Sequence, residues 1–152
     1  MRGGKGESNA TVAVTAMIED LKADLLREME ACFGEDARRI DHARRVTAYA
    51  ETLLAAEGGD YAVVIGAAVL HDIGIHQAER KYGSTRGEYQ EKEGPPIARG
   101  ILTGLDFPPE QVQEICEIIG HHHSPGIIQT QNFRILYDAD WLVNLRDEFD
   151  VT

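Results

Sequence analysis

Apolar side chains recur every three or four positions through most of the chain, which is the spacing of an amphipathic helix. The first run predicts a helix over residues 14–33, ended by Gly34. The second predicts a helix over residues 36–56, stopped by Gly58 and Gly59. No segment shows the period of two that is typical of a half-buried strand. The pattern therefore predicts an all-α fold.

One predicted helix differs from the others because it has no polar face. It covers residues 61–71, after Asp60 as an N-cap, and reads Tyr-Ala-Val-Val-Ile-Gly-Ala-Ala-Val-Leu-His. A helix that is apolar on all sides belongs in the middle of a domain. We therefore expect its final residues to project from the centre of the core.

The second half of the chain is more irregular. Residues 77–93 are rich in glycine and charge, which predicts a loop or short helices, and Pro95-Pro96 suits the first turn of a helix running to Leu102. Pro108-Pro109 begins a further helix in which Val112, Ile115, Ile119 and His122 share one face, and a last helix covers residues 133–149. The prediction is a single helical bundle of five to seven helices over residues 11–152, after a flexible tail at residues 1–10.

Composition narrows the classes of partner. The chain has 152 residues, enough for one domain, and a formal net charge of −11. Such a surface repels phosphate backbones, so no nucleic-acid polymer is expected as a partner. Two cysteines make no disulfide framework, and the longest apolar stretch, residues 62–70, is too short to cross a bilayer. We expect a cytoplasmic protein that does not bind membranes, and whether it forms a homo-oligomer stays open.

The pair His71-Asp72 is the first feature that composition does not explain. It ends the most apolar helix, where an ionised carboxylate is costly unless it is paired or bound to a metal. On its own, such a dipeptide is most often an ordinary helix terminus. Its position in the predicted core makes it a candidate ligand pair.

Three further features can each be interpreted either as ordinary structural residues or as metal ligands. His42 shares a helix face with Val46 and Leu53, and the triplet His121-His122-His123 ends the fifth predicted helix. Asp138 and Asp140 interrupt an apolar run, and positions two apart on a helix point about 200° apart, so one of the two is buried and the other exposed.

Two imidazoles and two carboxylates on buried helices form a suitable ligand set for a divalent cation, with positions left for water and substrate. Thiolate ligands are absent from this set, which disfavours a structural zinc site. The mixed nitrogen and oxygen donors suit Mn, Fe, Co, Ni, Zn or Mg, and the sequence does not distinguish among them.

The order His42, His71-Asp72, Asp140 resembles the H…HD…D signature of the HD-domain superfamily. The resemblance covers about residues 40–144 and rests on four segments: Asp41-His-Ala-Arg-Arg-Val, Ala68-Val-Leu-His-Asp-Ile-Gly, Gly94-Pro-Pro-Ile-Ala-Arg-Gly-Ile-Leu and Tyr137-Asp-Ala-Asp-Trp-Leu. It implies an all-α hydrolase of phosphomonoester or phosphodiester bonds. The expected substrate is a small phosphate ester, with nucleotides as the favoured class. It also implies metal ligation by His42, His71, Asp72 and Asp140, since the last aspartate of the family follows an alanine.

The chain departs from the family pattern in two places. Many relatives hold a second metal with a histidine before the Gly-x-x-x-Ala stretch, whereas residues 89–93 contain none. One metal ion is therefore expected, and a second stays open, with Glu91 or Glu93 replacing the histidine beside His121 and His122. Some relatives also carry an acidic residue soon after the HD pair, where this chain has Ile75-His76.

The mechanism that the resemblance implies is attack of a metal-activated water on phosphorus. Asp72 would also orient the water, and His121, His122 or His76 would protonate the leaving group. Four cations of the irregular segment are candidates for holding the phosphate: Arg80, Lys81, Arg86 and Lys92. Two rivals keep the fold: a diiron oxygenase, and a regulatory nucleotide-binding module without catalysis.

Overall fold

The computed structural model describes residues 9–149, and within this range the chain consists of α-helices joined by turns and loops, with no strand. The seven helices of this range are α1 (Asn9–Phe33), α2 (Ala37–Glu57), α3 (Tyr61–Leu70), α4 (Ile75–Tyr82), α5 (Gly87–Gly104), α6 (Pro109–Ile119) and α7 (Gln131–Phe149). The all-α prediction is confirmed. The predicted tail at residues 1–10 lies outside the described range, except for Asn9 and Ala10, which begin α1.

Helix α3 forms the centre of the bundle. Asp60 caps its first turn by accepting a hydrogen bond from the backbone N–H of Val63, and every residue from 63 to 70 is buried. Helices α1, α2, α6 and α7 all pack against it. The most apolar segment fills the core. His71 and Asp72 follow it directly and are therefore buried between the surrounding helices. No single helix in the described range is both long and apolar enough to cross a membrane.

Helices α2 and α7 pack closely against each other and bring the two ends of the family signature together. The buried positions of α2 include Ala43 and Val46, and those of α7 include Ala139 and Val143. His42 and Asp140 each lie next to one of these buried alanines. The burial pattern of the two helices therefore turns both polar side chains toward the end of α3.

The start of α5 differs from the prediction. The helix begins at Gly87 rather than at Pro95, and Pro95-Pro96 lie inside it. Gln90, Glu93 and Gly94 are buried, so packing against neighbouring helices stabilises a first half that local sequence does not favour. The irregular segment at residues 77–93 thus contains most of α4 and the beginning of α5.

Close approach of two glycines sets the position of α5. A Cβ atom on Gly74 would lie 2.5 Å from the backbone nitrogen of Gly94, and one on Gly94 would lie 2.9 Å from Ile119 Cγ2. Such distances leave no room for a methyl group. The two glycines therefore let α5 pack tightly beside the chain that follows His71-Asp72.

Candidate metal centre

Four side chains from α2, α7 and the end of α3 meet at one point. The Nε2 atoms of His42 and His71 are 3.3 Å apart. Asp140 Oδ1 lies 3.0 Å from Nε2 of His42 and 3.3 Å from that of His71. Asp72 Oδ2 lies 3.5 and 3.3 Å from the same two nitrogens. The structure thus brings together the four residues proposed as ligands.

These separations suit a shared ion. Nitrogen and oxygen ligands bind first-row divalent metals at about 2.0–2.2 Å, so two ligands of one ion are about 3.0–3.5 Å apart at angles between 90° and the tetrahedral value. His42, His71 and Asp72 have ligand atoms close enough together to hold one ion. The donor set and its spacing both fit a divalent cation.

Hydrogen bonds fix which ring nitrogen of two histidines is available. His71 Nδ1 donates to the backbone carbonyl of Ala68 at 2.8 Å, and His122 Nδ1 donates to that of Ile119 at 2.7 Å. In a neutral imidazole the other nitrogen then carries a lone pair. Backbone contacts of this kind are the usual way in which metal-binding histidines are oriented.

His122 Nε2 is buried and has no hydrogen-bond partner among the described residues. It lies 3.4 Å from Asp72 Oδ1. A lone pair facing a carboxylate oxygen is unfavourable unless a cation lies near both. Asp72, His122 and His123 form a second group whose ligand atoms are close enough to hold a metal, and Asp72 belongs to both groups.

Electrostatics keep the two carboxylates ionised. Burial raises the pKa of Asp72, but the imidazoles of His71 and His122 outweigh it and hold this pKa well below its ordinary value. Burial also raises the pKa of Asp140, but His71 and His42 outweigh it and hold this pKa below its ordinary value. Burial lowers the pKa of His71, but Asp72 and Asp140 raise it well above its ordinary value. The raised pKa of His71 reflects the negative charge of the two carboxylates, which would also attract a cation.

The cluster opens into a cavity of about 510 Å³. The cavity is lined by Arg38, Arg39, Asp41, His42, Arg45, Asp72, Ile75, Gln90, His123, Asp140, Asn144 and Asp147. Arg45 pairs with Asp147 at 2.6 Å. The guanidinium groups of Arg38 and Arg39 make no hydrogen bond or ion pair to the residues that the structure describes.

The sequence interpretation gave Arg38 and Arg39 no role, although the spacing of charged residues on α2 indicates a shared face. Arg38, His42 and Arg45 are spaced by four and three residues, which places them along one helix face. The cations predicted to hold the phosphate lie elsewhere. None of them lines the cavity: Arg80 bonds Gln77, Lys81 pairs with Glu93, Arg86 pairs with Glu88, and Lys92 lies over the ring of Tyr82.

The histidine triplet lies in the turn after α6, which ends at Ile119, and not within the helix. Of the three, His122 and His123 reach the site. His121 donates from Nδ1 to the backbone carbonyl of Glu117 at 2.8 Å; it does not line the cavity and belongs to neither ligand group. His76 is also elsewhere, because its Nε2 lies 2.7 Å from Asp36 Oδ2.

The acidic residues considered as substitutes for the missing histidine are engaged in other contacts. Glu93 accepts a hydrogen bond from the Tyr82 hydroxyl at 2.8 Å, and Glu91 accepts one from the backbone N–H of His123 at 2.8 Å. The residue of this segment that lines the cavity is Gln90, whose Oε1 lies 3.0 Å from His123 Nε2. The sequence interpretation did not single out Gln90, and it named His123 only as part of the triplet, without a role of its own.

The family model of the HD domain matches residues 39–145, and the chain belongs to this family. A solved structure, a predicted HD superfamily hydrolase from an uncultured Thermotogales bacterium, is similar to the chain with a TM-score of 0.66 and 28% identity. The similarity covers 84% of this chain and 73% of that protein. No curated protein matches the chain. The family and the His–Asp cluster together support a metal-dependent hydrolase.

Proposed function

We propose that the protein is a metal-dependent phosphohydrolase that acts on a small phosphate ester, with nucleotides as the favoured class. The observation that supports this proposal is that a candidate metal-binding cluster and two arginines line the same cavity. The cavity is lined by carboxylates and imidazoles of the cluster and by Arg38 and Arg39, whose guanidinium groups make no hydrogen bond or ion pair within residues 9–149. Arginine favours phosphate because its planar donors match two oxygens at once.

His42, His71, Asp72 and Asp140 would hold the metal ion. When bound, a divalent ion supplies positive charge that activates water and polarises a phosphoryl oxygen. Asp72 has one oxygen beside His42 and His71 and the other beside His122, so its carboxylate can accept a hydrogen bond from a water on the cavity side. Arg38 and Arg39 would hold the remaining phosphoryl oxygens and keep the phosphorus facing that water.

In the hydrolysis, the water oxygen forms a new bond to phosphorus, the bond to the ester oxygen breaks, and the leaving oxygen receives a proton. We propose His123 as the imidazole that handles this proton, because the Nε2 atom of His122, the candidate from the sequence, is buried beside Asp72. His123 lines the cavity, and the two rings lie with their centroids 4.0 Å apart. His121, a third candidate, has no such access because it is turned toward Glu117.

The number of metal ions is a separate proposal. One ion in the four-residue cluster is the basic requirement, and the group of Asp72, His122 and His123 offers a second position next to it. Asp72 would then be a ligand common to both positions. Metal analysis of the purified protein, loaded with each candidate ion in turn, gives the stoichiometry.

The test is a screen of the metal-free protein, reloaded with Mn, Fe, Co, Ni, Zn or Mg, against a panel of phosphomonoesters and phosphodiesters. We expect release of phosphate or of a nucleotide with at least one metal, and its loss in Asp140→Ala. Asp138→Ala is the matched control on α7, because Asp138, unlike Asp140, does not line the cavity at the cluster. Full activity of Asp140→Ala would contradict the proposed site.

Two outcomes would favour the rivals. Two irons per chain with substrate-dependent oxygen uptake would identify a diiron oxygenase. Tight nucleotide binding without hydrolysis under any metal would identify a regulatory module.

A further inference from the structure

A second hollow lies beside the metal centre on the α7 side. It has a volume of about 240 Å³ and is lined by His122, His123, Tyr137, Asp140, Trp141, Asn144 and Leu145. Three of these residues, His123, Asp140 and Asn144, also line the larger cavity. The two hollows are therefore adjacent, and Asp140 is one of the residues that line both.

The outer wall of this hollow is the ring of Trp141. The side chain follows the ligand Asp140 directly in sequence and is 52% exposed. Its indole N–H donates to the hydroxyl of Tyr137 at 3.1 Å, which fixes one edge of the ring. An oriented aromatic ring that keeps half of its surface in solvent, next to a candidate metal centre, has the form of a stacking surface.

We propose that Trp141 is the platform on which a flat aromatic group of the substrate stacks while its phosphate lies at the metal centre. This inference rests on the proposed function and adds a specificity-determining residue to it. Nucleobases are the aromatic groups expected, because every base has a π-face, and they also carry polar edges. Those edges would meet the amide of Asn144 and the imidazole of His123, two of the three polar side chains shared with the larger cavity.

A second copy of the chain is a less suitable occupant. The apolar groups near Trp141 are Leu142 and Leu145, and polar Asn144 lies between them in sequence. The hollow also contains the carboxylate of Asp140 and the imidazole of His123, which an apolar protein surface would leave without partners. A small ligand with both an aromatic ring and polar atoms satisfies the whole lining.

The experiment uses the fact that Trp141 is the one tryptophan of the chain, so that tryptophan fluorescence reports on this site alone. The full chain is titrated with adenosine, which contains no phosphate to be hydrolysed, and with ribose as the matched ligand without a base. We expect adenosine to change the fluorescence in a saturable manner and ribose to have no effect. An unchanged signal with adenosine at millimolar concentration would contradict the proposal.

Kinetics provide the second readout, with the metal-loaded enzyme acting on AMP and ribose 5-phosphate. We expect Trp141→Ala to raise KM for AMP by about 5- to 100-fold, the usual range for the loss of one base–aromatic stack. It should leave kcat and the KM for ribose 5-phosphate within about twofold, and Trp141→Phe should retain most of the preference. Leu142→Ala is the control, because Leu142 is exposed on the same helix and lines neither hollow.

An equal rise of KM for both esters, or no rise for either, would overturn the assignment. So would a dimer that Trp141→Ala dissociates in sedimentation without a change in KM. An effect on phenyl phosphate as large as that on AMP would extend the platform to aryl esters, and an effect confined to AMP and UMP would restrict it to nucleobases; either supports stacking on Trp141. If no ester is hydrolysed, the proposed function fails, while saturable adenosine binding still supports the platform.

Discussion

His122 Nε2 faces Asp72 Oδ1 across 3.4 Å, and this nitrogen is buried without a hydrogen bond to any residue in the described range. In the neutral imidazole the proton is on Nδ1, where it bonds the carbonyl of Ile119, and both facing atoms then carry lone pairs. Two buried acceptors in this arrangement repel each other until a positive charge lies near them. Since His42 and His71 approach the other oxygen of Asp72, groups that could hold a cation lie on both sides of this carboxylate.

Removal of metal should lower thermal stability. A ligand that binds only the folded state, at a hundred times its Kd, stabilises it by about 2.7 kcal/mol, which is about 5–10 °C in Tm for a chain of this length. We expect chelation to lower Tm by this amount and reloading to restore it, as measured by calorimetry. A Tm that stays constant while metal analysis shows complete removal would contradict a buried site.

The histidine triplet offers a matched pair of variants. His122→Ala should lower the metal content or affinity, because His122 Nε2 points at Asp72, whereas His121→Ala should leave both unchanged, because His121 is bonded to the Glu117 carbonyl. Equilibrium dialysis with Mn or Zn measures the difference. Equal losses in the two variants would count against the second ligand group.

The two unpaired arginines should act on substrate binding. We expect Arg38→Gln combined with Arg39→Gln to raise KM for a phosphate ester about tenfold or more, since each charge-assisted contact contributes about 1.5–3 kcal/mol. Metal content should not change, because neither residue belongs to a ligand group. The control is Arg44→Gln, whose side chain pairs with Glu30 on the surface and does not line the cavity. A KM unchanged in the double variant would remove the arginines from the phosphate site.

Asp36 should contribute stability that depends on pH. It caps α2 through the backbone N–H of Arg39, and its hydrogen bond with His76 lowers the pKa of its carboxyl group. The folded pKa lies below the unfolded one, so the contribution is fully present above about pH 4 and is lost as pH falls through the lowered folded value.

We therefore expect Asp36→Ala to cost about 1 kcal/mol near neutral pH, with the difference from wild type narrowing in acid. Urea unfolding at several pH values measures it, with Glu35→Ala, an exposed neighbour, as the control. A difference that grows as pH falls would have the wrong sign for a lowered pKa.

The glycine contact between the HD turn and α5 gives a stability test. Gly74→Ala should destabilise the fold by about 2 kcal/mol or more, because its methyl group would meet the backbone of Gly94 at 2.5 Å. Gly100→Ala on the exposed side of α5 meets no atom within 4 Å and should stabilise the protein by up to about 1 kcal/mol. Chemical unfolding of both variants is the measurement, and a neutral Gly74→Ala would show that the contact can relax.

Much of the helical framework is predictable because it rests on local patterns. The run of apolar residues in α3 predicts its burial, and residues 63–70 are indeed buried. Asp60 was predicted as its N-cap and has that role. The start of α5 was not predictable in this way, because Gly87 to Gly94 is helical through tertiary packing, and Pro95-Pro96 suggested a helix start that the fold does not use.

The sequence by itself determined the helical class, the family and the small set of candidate metal ligands. Hydrophobic periodicity and the order of motifs can be read directly from the sequence. Only the tertiary structure decided which side chains meet. The histidines 121–123 lie in a turn, where the helical period no longer predicts direction, and the backbone there turns His122 toward Asp72 and His121 away. Likewise, the packing of α2 on α7 selects Arg38 and Arg39 as cavity cations, because the cavity exists only once these helices are in contact.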